Sequence, residues 1–139
     1  MDSRRSQRAA LMSIHPRFAN AILAGAKRVE FRKRPLATDV RVVVIYTTSP
    51  VKAVTGEFTV AEQVIDTPEA LWERFSDVGG IEPDGFFDYF AGHEQAVGIV
   101  IDEVKAYQQP KPLQDVDPGA RPPQSFKYLR LDSAMSPVA

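Results

Sequence analysis

The sequence predicts an α+β fold, a small mixed β-barrel of about six strands with two or three flanking helices. Three observations carry this. The chain has 139 residues, one domain on a scale of roughly 100–200 residues per domain, and can bury a core without disulfides or metals. Short β-branched segments outnumber helical ones, in the order β-α-β-β-β-α-α-β-loop-β. No strand–helix repeat suggests a doubly wound parallel sheet.

The elements follow from local chemistry. Residues 1–10 read as a disordered basic tail, since polar and charged residues dominate them. Leu11–Ile14 is a short apolar strand. Pro16 suits the first helical position, Phe18, Ile22 and Leu23 recur at helical spacing, and Gly25 stops the helix. Residues 28–34 alternate: Val29 and Phe31 face one way, Arg28, Glu30, Arg32 and Arg34 the other. Arg41–Thr47 is β-branched and ends at the turn signal Thr48-Ser49-Pro50. A longer strand spans Ala53–Ile65, with Gly56 marking a bulge or a close backbone approach.

Thr67-Pro68-Glu69 combines an N-cap hydroxyl, a proline at the first helical position and an acid facing the helix dipole. That helix ends at Gly79-Gly80, and Phe86–Phe90 forms a short aromatic helix or turn closed by Gly92. Ala96–Val104 reads as a central strand. Residues 108–124, with five prolines, read as a long loop, and Phe126–Leu131 as the last strand. The domain is expected over 11–131, with a tail at 132–139.

Composition excludes several classes. There is no cysteine, so disulfide frameworks, zinc–thiolate sites and thiol nucleophiles are out, and a reducing compartment is suited. The longest apolar run, Val42–Tyr46, is far short of the ~20 residues of a membrane helix. A cytoplasmic protein with no membrane partner, no metal and no cofactor is the expectation. Net charge is −1, yet residues 1–52 hold eleven Lys/Arg against three Asp/Glu, while 53–104 hold one against twelve. The basic first third points to an anionic partner; the acidic middle reads as solvated surface away from the ligand.

Within that third, GAKRVEFRKRP (25–35) sets one carboxylate, Glu30, among Lys27, Arg28, Arg32, Lys33 and Arg34. Paired arginine forks suit a phosphate, and Glu30 either orients them or, in an enzyme, acts as a base. The plain alternative is a carboxylate neutralising arginines on a solvated strand face. His15, with Arg17 beside it, opens a helix whose free N–H groups can receive an anion, or is only an exposed cap. Ser49 and Lys52 occupy a loop at a strand end, where sites often form. Gln124, Ser125 and Phe126 pair polar groups with an aromatic that could read and stack a base, or merely close the barrel. Tyr46 is a further stacking candidate. Trp72, Phe75, Phe86, Phe87, Tyr89 and Phe90 read as core, and His93 as a turn residue.

"LMSIHPRFANAILAGAKRVEFRKR" resembles the opening of an ASCH domain, whose glycine, lysine, glutamate and arginine fall at Gly25, Lys27, Glu30 and Arg32. "YTTSPVKAVTGEF", "LWERFSDVGGI", "YFAGHEQAVGIVI" and "PPQSFKYL" resemble one branch of that family, in order, from about Leu11 to Leu131. The resemblance implies a PUA-like barrel with a cleft lined by the motif residues, and roles in RNA binding and regulation. Some members are ribonucleases, others amidohydrolases on modified nucleosides. The amidohydrolases carry a threonine where this chain has Glu30.

Two functions are therefore expected to compete. One is a nucleic-acid-binding module, for RNA or a single strand rather than duplex DNA. The other is a metal-independent ribonuclease or nucleoside amidohydrolase using Lys27 and Glu30 as acid and base. A protein-interaction module using the proline-rich loop is a third. Replacing Glu30 by alanine is expected to disturb ligand selectivity more than stability.

Overall fold

The computed structural model describes residues 8–130. In chain order the elements are β1 (Arg8–Ile14), α1 (Pro16–Leu23), β2 (Val29–Arg32), β3 (Val42–Thr47), β4 (Ala53–Asp66), α2 (Pro68–Phe75), α3 (Pro83–Tyr89), β5 (Ala96–Lys111), α4 (Leu113–Val116) and β6 (Phe126–Arg130). The strands form one six-stranded sheet in the order β2-β5-β4-β3-β1-β6. Only β1 and β3 run parallel; every other pair is antiparallel. The expected mixed α+β architecture is therefore the one observed.

β2 and β6 are the two ends of the sheet, and no backbone ladder joins them. The Arg32 side chain on β2 does so instead: Nη2 donates to the Ser13 carbonyl of β1 at 2.9 Å and Nη1 to Ser125 Oγ, just before β6, at 3.3 Å. The sheet therefore curls until its ends meet across a side-chain bridge. The principal core lies along one sheet face and includes Met12, Ile22, Ile45, Phe58 and Ile99. A separate cluster packs Val29 and Phe31 of β2 against Leu71 and Phe75 of α2 and Phe86 of α3. That second cluster sets the helices beside the seam.

Local signals hold where physics is local. Thr67 Oγ1 accepts from Ala70 N at 3.1 Å, capping α2, and Gly25 takes φ +84° after α1. Gly56 fulfils both expectations. It sits at a register shift between β4 and β5, and a Cβ there would lie 2.6 Å from the Lys105 carbonyl oxygen.

Non-local contacts changed two boundaries. β1 begins at Arg8, so residues 8–10 belong to the sheet and not to a tail; Ala9 and Ala10 are fully buried because β3 and β6 flank them. Residues 1–7 and 131–139, where the tails were expected, lie outside the described residues, as does Leu131 at the domain's predicted end. The loop expected over 108–124 is shorter, since β5 runs to Lys111 and α4 buries Leu113 and Val116. Beyond Ile101 β5 has β4 on one side only, which lets a strand keep Pro110. Among the described residues no helix is long and apolar enough to cross a membrane.

Candidate functional site

A cleft of about 450 Å³ opens at the seam between the sheet ends. Its floor is a buried charge network. Glu30 projects from β2 on the face opposite Val29 and Phe31, as the alternation predicted, and is 6 % exposed. Its Oε2 accepts from Arg32 Nε at 3.0 Å and lies 2.9 Å from Nη2; its Oε1 lies 3.7 Å from Lys27 Nζ. Lys27 is 2 % exposed. Its ammonium donates to the Gly79 carbonyl and lies 5.2 Å from the ring centroids of both Phe18 and Phe31. Burial pushes the Lys27 ammonium below the ordinary lysine pKa, against the pull of Glu30.

The Gly79-Gly80 turn is shaped to this lysine. A Cβ on Gly79 would lie 2.7 Å from the Phe31 ring. One on Gly80, which takes φ +64°, would lie 2.8 Å from Lys27 Cβ. The pair was expected to stop α2, but that helix ends at Phe75 with Ser76 as its cap, and Gly79-Gly80 instead closes over a buried cation.

Arg32 is fully engaged. Besides Glu30 it holds Ser13 and Ser125, and those residues are stitched together by Ser13 N to Ser125 O at 3.0 Å and Ser13 Oγ to Pro123 O at 2.6 Å. Each nitrogen of its guanidinium thus has a partner within the protein, Glu30 among them. The rim holds the available cations. Lys33 and Arg34 are exposed and line the cleft, and no carboxylate among the described residues pairs with either. Lys33 Nζ lies 4.5 Å from the Tyr89 ring centroid, and burial raises the Tyr89 pKa.

Of the expected site residues, the cleft gathers His15, Lys27, Glu30, Arg32, Arg34, Gln124 and Ser125. It does not gather Arg17, Arg28, Ser49, Lys52 or Phe126. Arg28 precedes β2, so strand alternation does not govern it. Its Nη2 donates to the Ile101 and Asp102 carbonyls at 3.0 and 2.9 Å, along the open side of β5. Arg17 is exposed on α1, its guanidinium 4.8 Å from the Phe18 ring centroid. Phe126 packs partly into the main core, and Tyr46 is buried in a cluster with Val54 and Leu113. Ser49 and Lys52 are exposed in the turn after β3, where Lys52 takes φ +53°.

The lining residues missed from the sequence include Ser13, Thr48, Phe18, Phe31, Ile81, Phe86 and Tyr89. Thr48 was one residue from Ser49 and reaches the cleft because its N–H donates to Ile14 O at 3.0 Å; its Oγ1 lies 3.4 Å from His15 Nδ1. Phe86 and Tyr89 were read as core. Phe86 is buried and still borders the cleft, while Tyr89 is 38 % exposed. They also show that the acidic middle third does not lie wholly away from the cleft. Among the described residues, no group of three or more His, Asp or Glu side chains is placed to hold a metal ion.

A curled mixed sheet with helices beside a cleft at its seam defines a PUA-like α+β protein. The ASCH domain model matches residues 12–112, and the chain belongs to the ASCH domain family. An "ASCH domain-containing ribonuclease" from Zymomonas mobilis subsp. mobilis is 33% identical over 137 residues, covering 94% of this chain and 90% of the relative. The crystal structure of ASCH from Zymomonas mobilis matches with a TM-score of 0.80 at 31% identity, over 93% of this chain and 90% of that one. A serine-to-alanine variant of the same protein matches with a TM-score of 0.81 at 33% identity, over 88% of each chain.

Proposed function

We propose that the cleft receives one unpaired nucleotide of an RNA strand, base inward and phosphate outward. The observation that carries this is the division between floor and rim. On the floor Arg32 is occupied and the Glu30 carboxylate would repel a phosphate, but Glu30 Oε1 and the Lys27 ammonium offer an acceptor and a donor side by side. Phe18, Phe31, Phe86 and Tyr89 supply apolar walls. A base edge satisfies such a pair; unpaired bases are read in this way, by stacking and by hydrogen bonds to their edges. The cleft volume lies in the range of small-molecule sites. Lys33 and Arg34 at the rim then meet the phosphates, so affinity falls with added salt.

A second reading is favoured by a separate observation. Lys27 has a lowered pKa and touches a carboxylate, and a relative covering nearly the whole chain is named a ribonuclease. In that reading the same cleft cleaves the strand without a metal, with Lys27 and Glu30 as acid and base. One sample separates the two. Labelled single-stranded RNA in chelator is followed by anisotropy at two salt concentrations, then run on a denaturing gel. Salt-sensitive binding with intact RNA supports the binding module, and cleaved strands support the nuclease. Turnover of a free modified nucleoside would point instead to an amidohydrolase. RNA that is neither bound nor cleaved, with no turnover of a nucleoside, would sink the proposal.

A further inference from the structure

Beyond the cleft, one face of β6 carries rings and guanidinium groups in alternation. Phe126 and Tyr128 are two residues apart on the strand and so share a face; their ring centroids lie 5.7 Å apart. The Arg34 guanidinium lies 6.0 Å from the Phe126 ring centroid, and that of Arg8 lies 4.2 Å from the Tyr128 centroid. Arg8 is held there by Asp39, through Nε to Oδ2 at 2.9 Å and Nη2 to Oδ1 at 3.1 Å. The Tyr128 hydroxyl accepts from Ala37 N at 3.0 Å. Both members of the outer pair are open to solvent: Tyr128 is 37 % exposed and the Arg8 side chain 39 %.

This row continues the cleft. Arg34, Gln124 and Ser125 line the cleft, and β6 starts at the next residue, Phe126. We infer that the β6 face is a second nucleotide subsite, where the base next to the one in the cleft stacks on the Arg8–Tyr128 pair. The inference rests on the cleft taking an unpaired nucleotide. Continuity with the cleft, the Arg8 guanidinium over Tyr128 and the Arg34 guanidinium near Phe126 favour a nucleic acid strand over an apolar peptide. Bases stack on aromatic rings and on guanidinium planes alike. Because Asp39 offsets the Arg8 charge, this subsite contributes by stacking and adds little salt dependence, unlike the rim beside it.

The test measures binding of the four ribonucleoside monophosphates and of mixed-sequence RNA trinucleotides to the full chain, Tyr128→Leu, Tyr128→Phe and Arg8→Gln. Wild type should hold trinucleotides more tightly than monophosphates. Tyr128→Leu should lose about tenfold on trinucleotides, the worth of one stacked base, with monophosphate affinity kept and the salt slope unchanged. Tyr128→Phe should bind as wild type does, since the ring and not the hydroxyl carries the effect. Arg8→Gln should lose in the same direction, which keeps the idea testable if the leucine variant folds poorly. Trinucleotides bound no more tightly than monophosphates by wild type, or equal losses on both ligands in the variants, would overturn the second subsite and leave the cleft reading standing. No binding of either ligand to wild type would overturn both.

Discussion

The floor and the rim of the cleft are built from the same residue types and behave oppositely. On the floor, Lys27 and Arg32 share one buried carboxylate, and each also donates to a backbone carbonyl, Lys27 to Gly79 and Arg32 to Ser13. At the rim, Lys33 and Arg34 come next in sequence, are exposed and pair with no carboxylate among the described residues. Out of water a charge must be compensated inside the fold, so the floor cations hold a shape. In water a cation needs no partner from the fold, so the rim cations are left available to an anion. Charge count alone would have treated all four alike.

The sharpest way to break this comparison is Glu30→Ala, which takes the carboxylate from the buried Lys27 and the half-buried Arg32. Loss of one partner of a buried pair costs about 3–5 kcal/mol, so the urea midpoint should drop steeply. The sequence led to the expectation that selectivity would suffer more than stability, with Glu30 fixing the arginines in one geometry; the burial of Glu30 adds the stability cost. A stability within 0.5 kcal/mol of wild type, on the ordinary scale for surface changes, would show that the floor is not a closed charge network.

Gly80→Ala comes next. It forces a Cβ against the Lys27 stem at a φ of +64°, and strain of this kind costs roughly 1–3 kcal/mol. Denaturation should register that loss, and RNA affinity should fall with it because Lys27 must shift. An alanine variant with unchanged affinity would remove the turn from the site.

A smaller effect lies in pH. Burial lowers the Lys27 pKa from 10.5, so between its folded value and 10.5 the unfolded chain binds more protons than the folded one. Stability from this group therefore rises with pH across that window. Lys27→Met should flatten the rise, read as urea midpoints at several pH values. Tyr89 and Tyr107, held protonated above the ordinary 10.0, act in the opposite sense above that pH, so the comparison is made below it. An equal rise in both proteins would contradict the assignment.

The smallest change in stability, within about 0.5 kcal/mol, is expected for Lys33→Gln and Arg34→Gln. Their effect should fall on binding, each lowering the slope of log affinity against log salt by about one. An unchanged slope would take the phosphates elsewhere.

Much of the local structure was legible because its causes are local. The proline starts of α1 and α2, the Thr67 cap, the Gly25 stop and the alternation that turns Glu30 away from Val29 and Phe31 need only neighbouring residues. The motif positions Lys27, Glu30 and Arg32 were legible too. Their state was not, since nothing in the sequence showed that Gly79, more than fifty residues on, accepts from Lys27, or that Ser13 and Ser125 close around Arg32.

The same division governs the rest of the molecule. Sequence by itself determined which segments pair as strands or coil as helices and which third carries the positive charge, because backbone propensity and side-chain alternation act over a few residues. Tertiary structure alone decided that β1 starts at Arg8, that Arg28 serves β5 and not the cleft, that α3 lends Phe86 and Tyr89 to the cleft wall, and that β6 lays Tyr128 under Arg8. Burial and counter-charge come from residues distant in sequence, and only the curled sheet brings them together.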